Sequence, residues 1–428
     1  FMRSGLENVG SDMARQFRRL GVHLNLAPVA DINNERSNPV IGTRSFGEGR
    51  KNVANKVVAY MEGMQDKGVL VAAKHFPGPG DTATDSHQAL PVIPHDRRRL
   101  DSLELFPFRA AIDRGLTGIM VAHLRVPELD PRENRATTLS HPAITGLLKE
   151  EMGFKGLIIT DALNMKGLSS YFEPGLREVE AVRAGNDILL MPADVGKAIN
   201  AIKKAIRKGD IIEEEVNYSC RKILQAKYWA GLHHSESIEK KNLLEDLNHH
   251  EYQTLYKKLV EHSLVLVKNR KGTIPLGNLD ETLLATVTIS REGAIAPLPT
   301  TDLYIGGRHF TLSSDAAQAK RSELLLKLKS FNTIVVNVLN TSSRASRAYG
   351  ISEETLAFLD ELENTSTLVL NVAGMPYSLG RFANLDKFDA VVLSYSDDRL
   401  YQDLALQAIF GGASFSGKMP VTAGPQAR

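Results

Sequence analysis

The segment VLVAAKHFPGPGDTATDSH, residues 69–87, holds the pattern from which the rest of the chain is read. It opens on an apolar run without polar alternation, the mark of a strand covered on both faces. The run stops at Lys74 and His75, and a loop rich in glycine, proline and aspartate follows. A helix-like amphipathic stretch, Val53 to Gly68, precedes it and ends in a glycine suited to the left-handed position past a helix end. The same order recurs four times more. Ser11 to Gly21 leads into VHLNLAPVAD, Leu103 to Gly115 into LTGIMVAHL, His141 to Gly153 into FKGLIITDAL, and Leu176 to Gly185 into NDILLMP. Such repeats mean an α/β protein, either a (β/α)8 barrel or a doubly wound sheet.

The ends of the runs choose between these two. Asp31, Lys74 with His75, His123 and Asp161 all stand where an apolar run stops. A barrel delivers the C-terminal ends of all its strands to one mouth. An open sheet spreads them along a line and starts with a glycine-rich phosphate turn; neither G-x-G-x-x-G nor G-x-x-x-x-G-K-[ST] occurs. A TIM-type barrel is therefore expected over residues 1–232. It needs eight strands where five are evident, so two or three opening β/α units are expected to be missing from a chain that is an excerpt of a longer protein.

Beyond it, Ala198 to Gly231 reads as two helices, the second amphipathic, and residues 233–261 as a polar linker with a helix. Residues 262–428 read as a smaller α/β sandwich domain. Its strand-like runs are 263–268, 283–289, 333–339, 367–372 and 390–395, with helices at 315–330, 352–364 and 399–410. Two domains also suit the length, since 428 residues exceed what one core commonly serves. Lys and Arg total 52 against 50 Asp and Glu, a balance that argues against a nucleic-acid partner. No run of eighteen apolar residues offers a membrane span. Cys220, the only cysteine, excludes an internal disulfide and a multi-cysteine metal site.

Taken singly, the polar residues allow two readings each. Lys74, His75, Asp81, Asp85 and His87 crowd one loop, which is either functional or a solvated turn. Their spacing fits no metal-ligand signature, so neither metal nor cofactor is expected. Asp161 follows an apolar strand, where a barrel places reacting groups or where a helix takes its N-cap. Asp31 and Arg44 share a long loop and suit either hydroxyl recognition or an internal salt bridge.

Together, KHFPGPGDTATDSH, IITDALNM, NPVIGTRSFGE and EAVRAGNDILLMP resemble the barrel signatures of glycoside hydrolase family 3, in that family's order. GGASFSGKMPVT, residues 411–422, resembles the end signature of its second domain. The D-S-H of 85–87 is similar to the β-N-acetylglucosaminidase branch, whereas the β-glucosidase branch takes its acid/base from a glutamate on the second domain. The resemblance implies Asp161 as nucleophile and His87 as general acid/base held by Asp85. It implies Asp31, Arg44, Lys74, His75 and His123 as the sugar-binding group. The expected activity is retaining exo-β-N-acetylglucosaminide hydrolysis on cell-wall-type glycans, through a covalent intermediate. A family 3 exo-β-glucosidase and a non-catalytic carbohydrate-binding barrel are the alternatives. A neutral imidazole does not repel an anion, so phosphate can replace water as acceptor, which sugar 1-phosphate among the products would reveal. Pro79 stands where the family usually has histidine, which alters the loop's path. Exported two-domain relatives imply a periplasmic or extracellular location, and a homodimer is compatible with the sequence.

Overall fold

The structure, a computed structural model, describes residues 2–38, 40–82, 90–234, 237–291, 299–363 and 365–423. Asp85 and His87 lie outside the described residues. The chain divides into two compact units, Phe1–Tyr252 and Gln253–Arg428.

In the first unit, strands β1 (Leu24–Asn25), β2 (Leu70–Phe76), β3 (Gly118–Val121) and β4 (Leu157–Thr160) form a parallel sheet in that order. A fifth run joins β4 through the Ile159–Ile188 bridge. The glycines that punctuate the repeat carry positive φ: 72° at Gly21, 73° at Gly68, 82° at Gly115, 68° at Gly153 and 107° at Gly185. Each stops its helix in the left-handed conformation that a side chain would disfavour.

The uninterrupted apolar runs have a simple cause. Side chains alternate across a strand, and here both faces are covered. Val69, Val71 and Ala73, with Ile119, Val121 and Ile158, pack under Val53, Val57, Met61 and Met64 of helix Arg50–Gln65. The opposite face gathers Leu24, Leu26, Leu70, Ala72, Met120, Leu157, Ile159, Ile188 and Leu190 into one inner cluster, as in a barrel interior. Among the described residues no pairing joins β1 to the Ile188 run, so the observed wall is an arc. Helix Glu213–Trp229 reaches this inner cluster through half-buried Ile223 and Ala226. Asp187 anchors that helix, accepting from Ser219 Oγ (2.7 Å) and Lys222 Nζ (2.6 Å).

The second unit holds a six-stranded sheet in the order β5-β10-β9-β8-β6-β7. These are β5 (Val265–Asn269), β6 (Leu284–Ser290), β7 (Gly307–Ser313), β8 (Thr333–Val338), β9 (Thr367–Val372) and β10 (Ala390–Leu393). All pairs are parallel except β5 with β10. One strand escapes the sequence reading. GRHFTLS, at an edge, buries only one of its residues fully and so lacks the apolar run that betrays its neighbours. Among the described residues no helix is long and apolar enough to cross a membrane.

Candidate active site

Period-two alternation selects the first members of the site. Lys74 continues the inner face of Leu70 and Ala72, and Asp161 that of Leu157 and Ile159. Both therefore emerge at the C-terminal ends of β2 and β4, toward one cavity of about 190 Å³. Arg44, Lys74, His75, His123 and Asp161 line it, with Leu26, Met120, Met165 and Leu190 supplying apolar wall. The cavity thus brings together five of the residues singled out from sequence.

Asp31 stands behind the wall rather than in it. It is 1% exposed. Its Oδ1 accepts the His75 amide (2.9 Å), and its Oδ2 lies 2.7 Å from His75 Nδ1. A carboxylate cannot donate and a guanidinium cannot accept. His75 Nδ1–H therefore donates to Asp31, while Nε2 accepts from Arg44 Nη2 at 3.3 Å. This chain of contacts aligns the guanidinium with the cavity. The loop bearing Arg44 is pinned in turn by Ser45 Oγ on the Asp31 carbonyl (2.7 Å). Asp31 thus supports His75 and, through it, Arg44.

His123 also lines the cavity. It is fully buried, and both nitrogens are committed. Nε2–H donates to the Ala162 carbonyl (3.0 Å), and Nδ1 accepts from Thr138 Oγ1 (2.7 Å). No ring nitrogen remains for a ligand hydroxyl. Its role is to hold the peptide that follows Asp161. Burial is the main force lowering its pKa, against the opposing pull of the Asp161 carboxylate, so the ring is neutral near pH 7.

Asp161 itself is oriented by two amides. Its own N–H donates to the Val121 carbonyl (2.9 Å), and its Oδ1 accepts the Ala162 N–H (2.8 Å). Among the described residues no hydrogen bond occupies Oδ2. Lys74 faces it as a cation whose pKa is lowered, first by burial and then by the Arg44 charge, with Asp161 and Asp31 opposing. An uncommitted carboxylate oxygen beside a half-buried ammonium and a guanidinium can bind a polyol and attack an electrophilic carbon.

The loop after β2 closes one side. Gly80 is required there, because a Cβ would lie 1.7 Å from the Ile32 carbonyl oxygen. The Pro79 carbonyl accepts from Asn38 Nδ2 (2.9 Å) and the Thr82 amide (3.3 Å), so proline at this position sits in a bonded turn and lines the cavity. Asn38 and Thr138 were missed in the sequence reading; neither stands at a strand end, and only the fold brings them to the site.

Comparison with known proteins identifies the family. A family model described as "Glycosyl hydrolase family 3 N terminal domain" matches residues 2–226. "Beta-hexosaminidase A" of Pseudoalteromonas piscicida is 35% identical over 238 residues, 51% of this chain and 40% of that protein. "Beta-hexosaminidase LpqI" of Mycobacterium tuberculosis is 32% identical over 233 residues, 52% of this chain and 58% of that protein. The matched region thus spans about half the length of these curated relatives. Among solved structures, a family 3 beta-N-acetylglucosaminidase from Paenibacillus sp. str. FPU-7 superposes with a TM-score of 0.76 at 27% identity. That match covers 99% of this chain and 82% of the other. With more than half of its residues matched by the family model and an α/β barrel wall followed by a sandwich domain, the chain belongs to glycosyl hydrolase family 3.

Proposed function

We propose that this chain is the catalytic part of a retaining β-N-acetylhexosaminidase acting on terminal β-linked N-acetylhexosamine, with cell-wall-type glycans as substrates. The observation that carries the reading is Asp161, whose free Oδ2 enters a cavity furnished with Lys74, Arg44 and His75. The names of the relatives support the sugar class.

In the first step Asp161 Oδ2 attacks the anomeric carbon and a glycosyl ester forms. The bond to the aglycone oxygen breaks with its electron pair, and His87 supplies the proton to that oxygen. In the second step His87 takes a proton from water, whose oxygen attacks the anomeric carbon and releases Asp161 as carboxylate. Asp85 orients the imidazole and stabilises its cationic form. Lys74 and Arg44 bind sugar hydroxyls through charge-assisted hydrogen bonds. His75 and Asp31 hold Arg44, and His123 holds the Ala162 peptide against Asp161.

The test is nitrophenol release from the β-N-acetylglucosaminide and the β-glucoside, with Asp161→Asn and His87→Ala as controls. Turnover of the N-acetyl substrate, lost in Asp161→Asn while sugar binding survives, is the expected result. Preference for the glucoside would overturn the branch assignment. Binding that is never followed by turnover would make the barrel a carbohydrate-binding module.

A further inference from the structure

One cluster of charged side chains lies beside the cavity and takes no part in the chemistry above. Asp81, on the loop after β2, meets His95 in a short contact between Oδ2 and Nε2. Arg99 Nη2 lies 3.8 Å from Asp81 Oδ2 and 3.1 Å from Glu104 Oε1. Ligand-type atoms of Asp81, His95 and Glu104 lie within 4.8 Å of one another. Glu104 is 4% exposed, and neither of its carboxylate oxygens has a hydrogen-bond partner among the described residues; Asp81 Oδ1 is in the same position. The backbone fits the same contact, since a Cβ on Gly78 would come within 3.2 Å of Glu104 Cβ. On its other side the loop is fastened by the Asn34 amide on the Gly80 carbonyl (3.1 Å) and by Asn38 on Pro79.

Two carboxylates buried together are costly unless balanced. Burial, reinforced by the neighbouring Asp81 charge, raises the pKa of Glu104 against the pull of Arg99 and His95. Arg99 lies against both carboxylates and His95 meets Asp81, so each acid faces a basic side chain without an added ion. That accounting favours an ion-pair clamp over a metal centre. What the clamp grips is the root of the loop, and Asp85 and His87 follow Asp81 by four and six residues in the chain.

We propose that Asp81, His95, Arg99 and Glu104 are positioning residues for the acid/base step, setting where the chain leading to His87 begins. The proposal rests on the reading of His87 given above. It separates proton transfer from sugar binding, because none of the four lines the cavity.

The test compares His95→Ala and Glu104→Gln with His87→Ala on two substrates, one with a dinitrophenyl leaving group that needs no proton and one with a sugar aglycone that does. Loss of acid/base catalysis costs about 10²–10⁴, so the clamp variants should lose about tenfold or more in kcat on the sugar aglycone. The dinitrophenyl substrate should be far less affected in glycosylation, its turnover should rise with azide to give the glycosyl azide, and sugar affinity should stay within about threefold. The same variants should shift the titration of the His87 imidazole C–H signals by NMR. Equal losses on both substrates without azide response, beside a responsive His87→Ala, would reduce the clamp to mere structure and overturn the proposal. A silent His87→Ala would remove the acid/base assignment itself, and the proposal with it. One equivalent of Zn²⁺ bound by the unmodified protein and lost in His95→Ala would replace the clamp with a metal centre. Unchanged kinetics and NMR in both clamp variants would also overturn it.

Discussion

Lys74 and Asp161 stand at the ends of β2 and β4 with polar atoms facing a cavity, whereas Asn337 and Asn371 stand inside β8 and β9 with their amides turned on each other. The two asparagines are register partners across the second sheet. Asn371 Nδ2 donates to Asn337 Oδ1 (3.0 Å) and to Gln402 Oε1 (2.9 Å), and Gln402 Nε2 passes the network on to Ser394 Oγ (3.0 Å). These strands are parallel in both sheets, apolar on two faces and interrupted by polar residues, so residue type alone does not distinguish them. The difference is spare bonding capacity. In the second unit the Asn371 and Gln402 amide donors are spent on neighbours, which rigidifies that part of the core. In the first, among the described residues, no hydrogen bond takes up Asp161 Oδ2, which faces the cavity beside Lys74.

That contrast breaks most sharply at Asp161. Asp161→Asn should lower turnover by on the order of 10⁴-fold or more while leaving sugar affinity within a few-fold, measured by kinetics and calorimetry. A variant that kept activity would mean the free oxygen is not the nucleophile. Asn371→Leu should do the reverse. It leaves the Asn337 and Gln402 oxygens buried without a donor, costing about 2–4 kcal/mol in urea unfolding, with activity per folded molecule unchanged. Arg44→Ala should sit between these, lowering kcat/KM by about 10–100-fold through loss of a charged hydrogen-bond donor and leaving the unfolding midpoint nearly unmoved.

The smallest effect concerns His123. Its pKa is lowered in the fold by burial, so the unfolded chain binds more protons over the interval between the lowered value and about 6.5. Stability contributed by the neutral ring is present above that unfolded value and is lost as pH falls through the interval. The slope is bounded by about 1.4 kcal/mol per pH unit for one proton. Unfolding midpoints between pH 7 and pH 5 should therefore fall less steeply in His123→Gln than in the unmodified protein. An identical slope would show that the ring is free to charge in the fold.

Much of this was readable beforehand. The apolar runs of β2, β3 and β4, the five glycine stops and the polar residues at strand ends follow from alternation and left-handed backbone, both local properties. Edge strand β7 was not readable, because half-exposed residues leave no apolar run. Asp31 and His123 were found, but the hydrogen bonds that hold them were not. Their partners, His75, Thr138 and Ala162, lie 44, 15 and 39 residues away, and no local pattern reports a distant hydrogen bond. The clamp was half visible, since Asp81 stood in the quoted loop while His95 and Glu104 drew no notice.

The sequence by itself determined the α/β alternation, the two-domain organisation as an expectation, and the family. It did so through chain-local geometry: period two along a strand, left-handed glycine past a helix, and motifs in a set order. Only the tertiary structure decided which polar atoms are spent and which are spare. That depends on who meets whom across the fold: Arg44 on His75, His123 on the Ala162 peptide, Glu104 beside Asp81. A side chain's type gives its bonding capacity, and the fold determines how much of that capacity is left for a substrate.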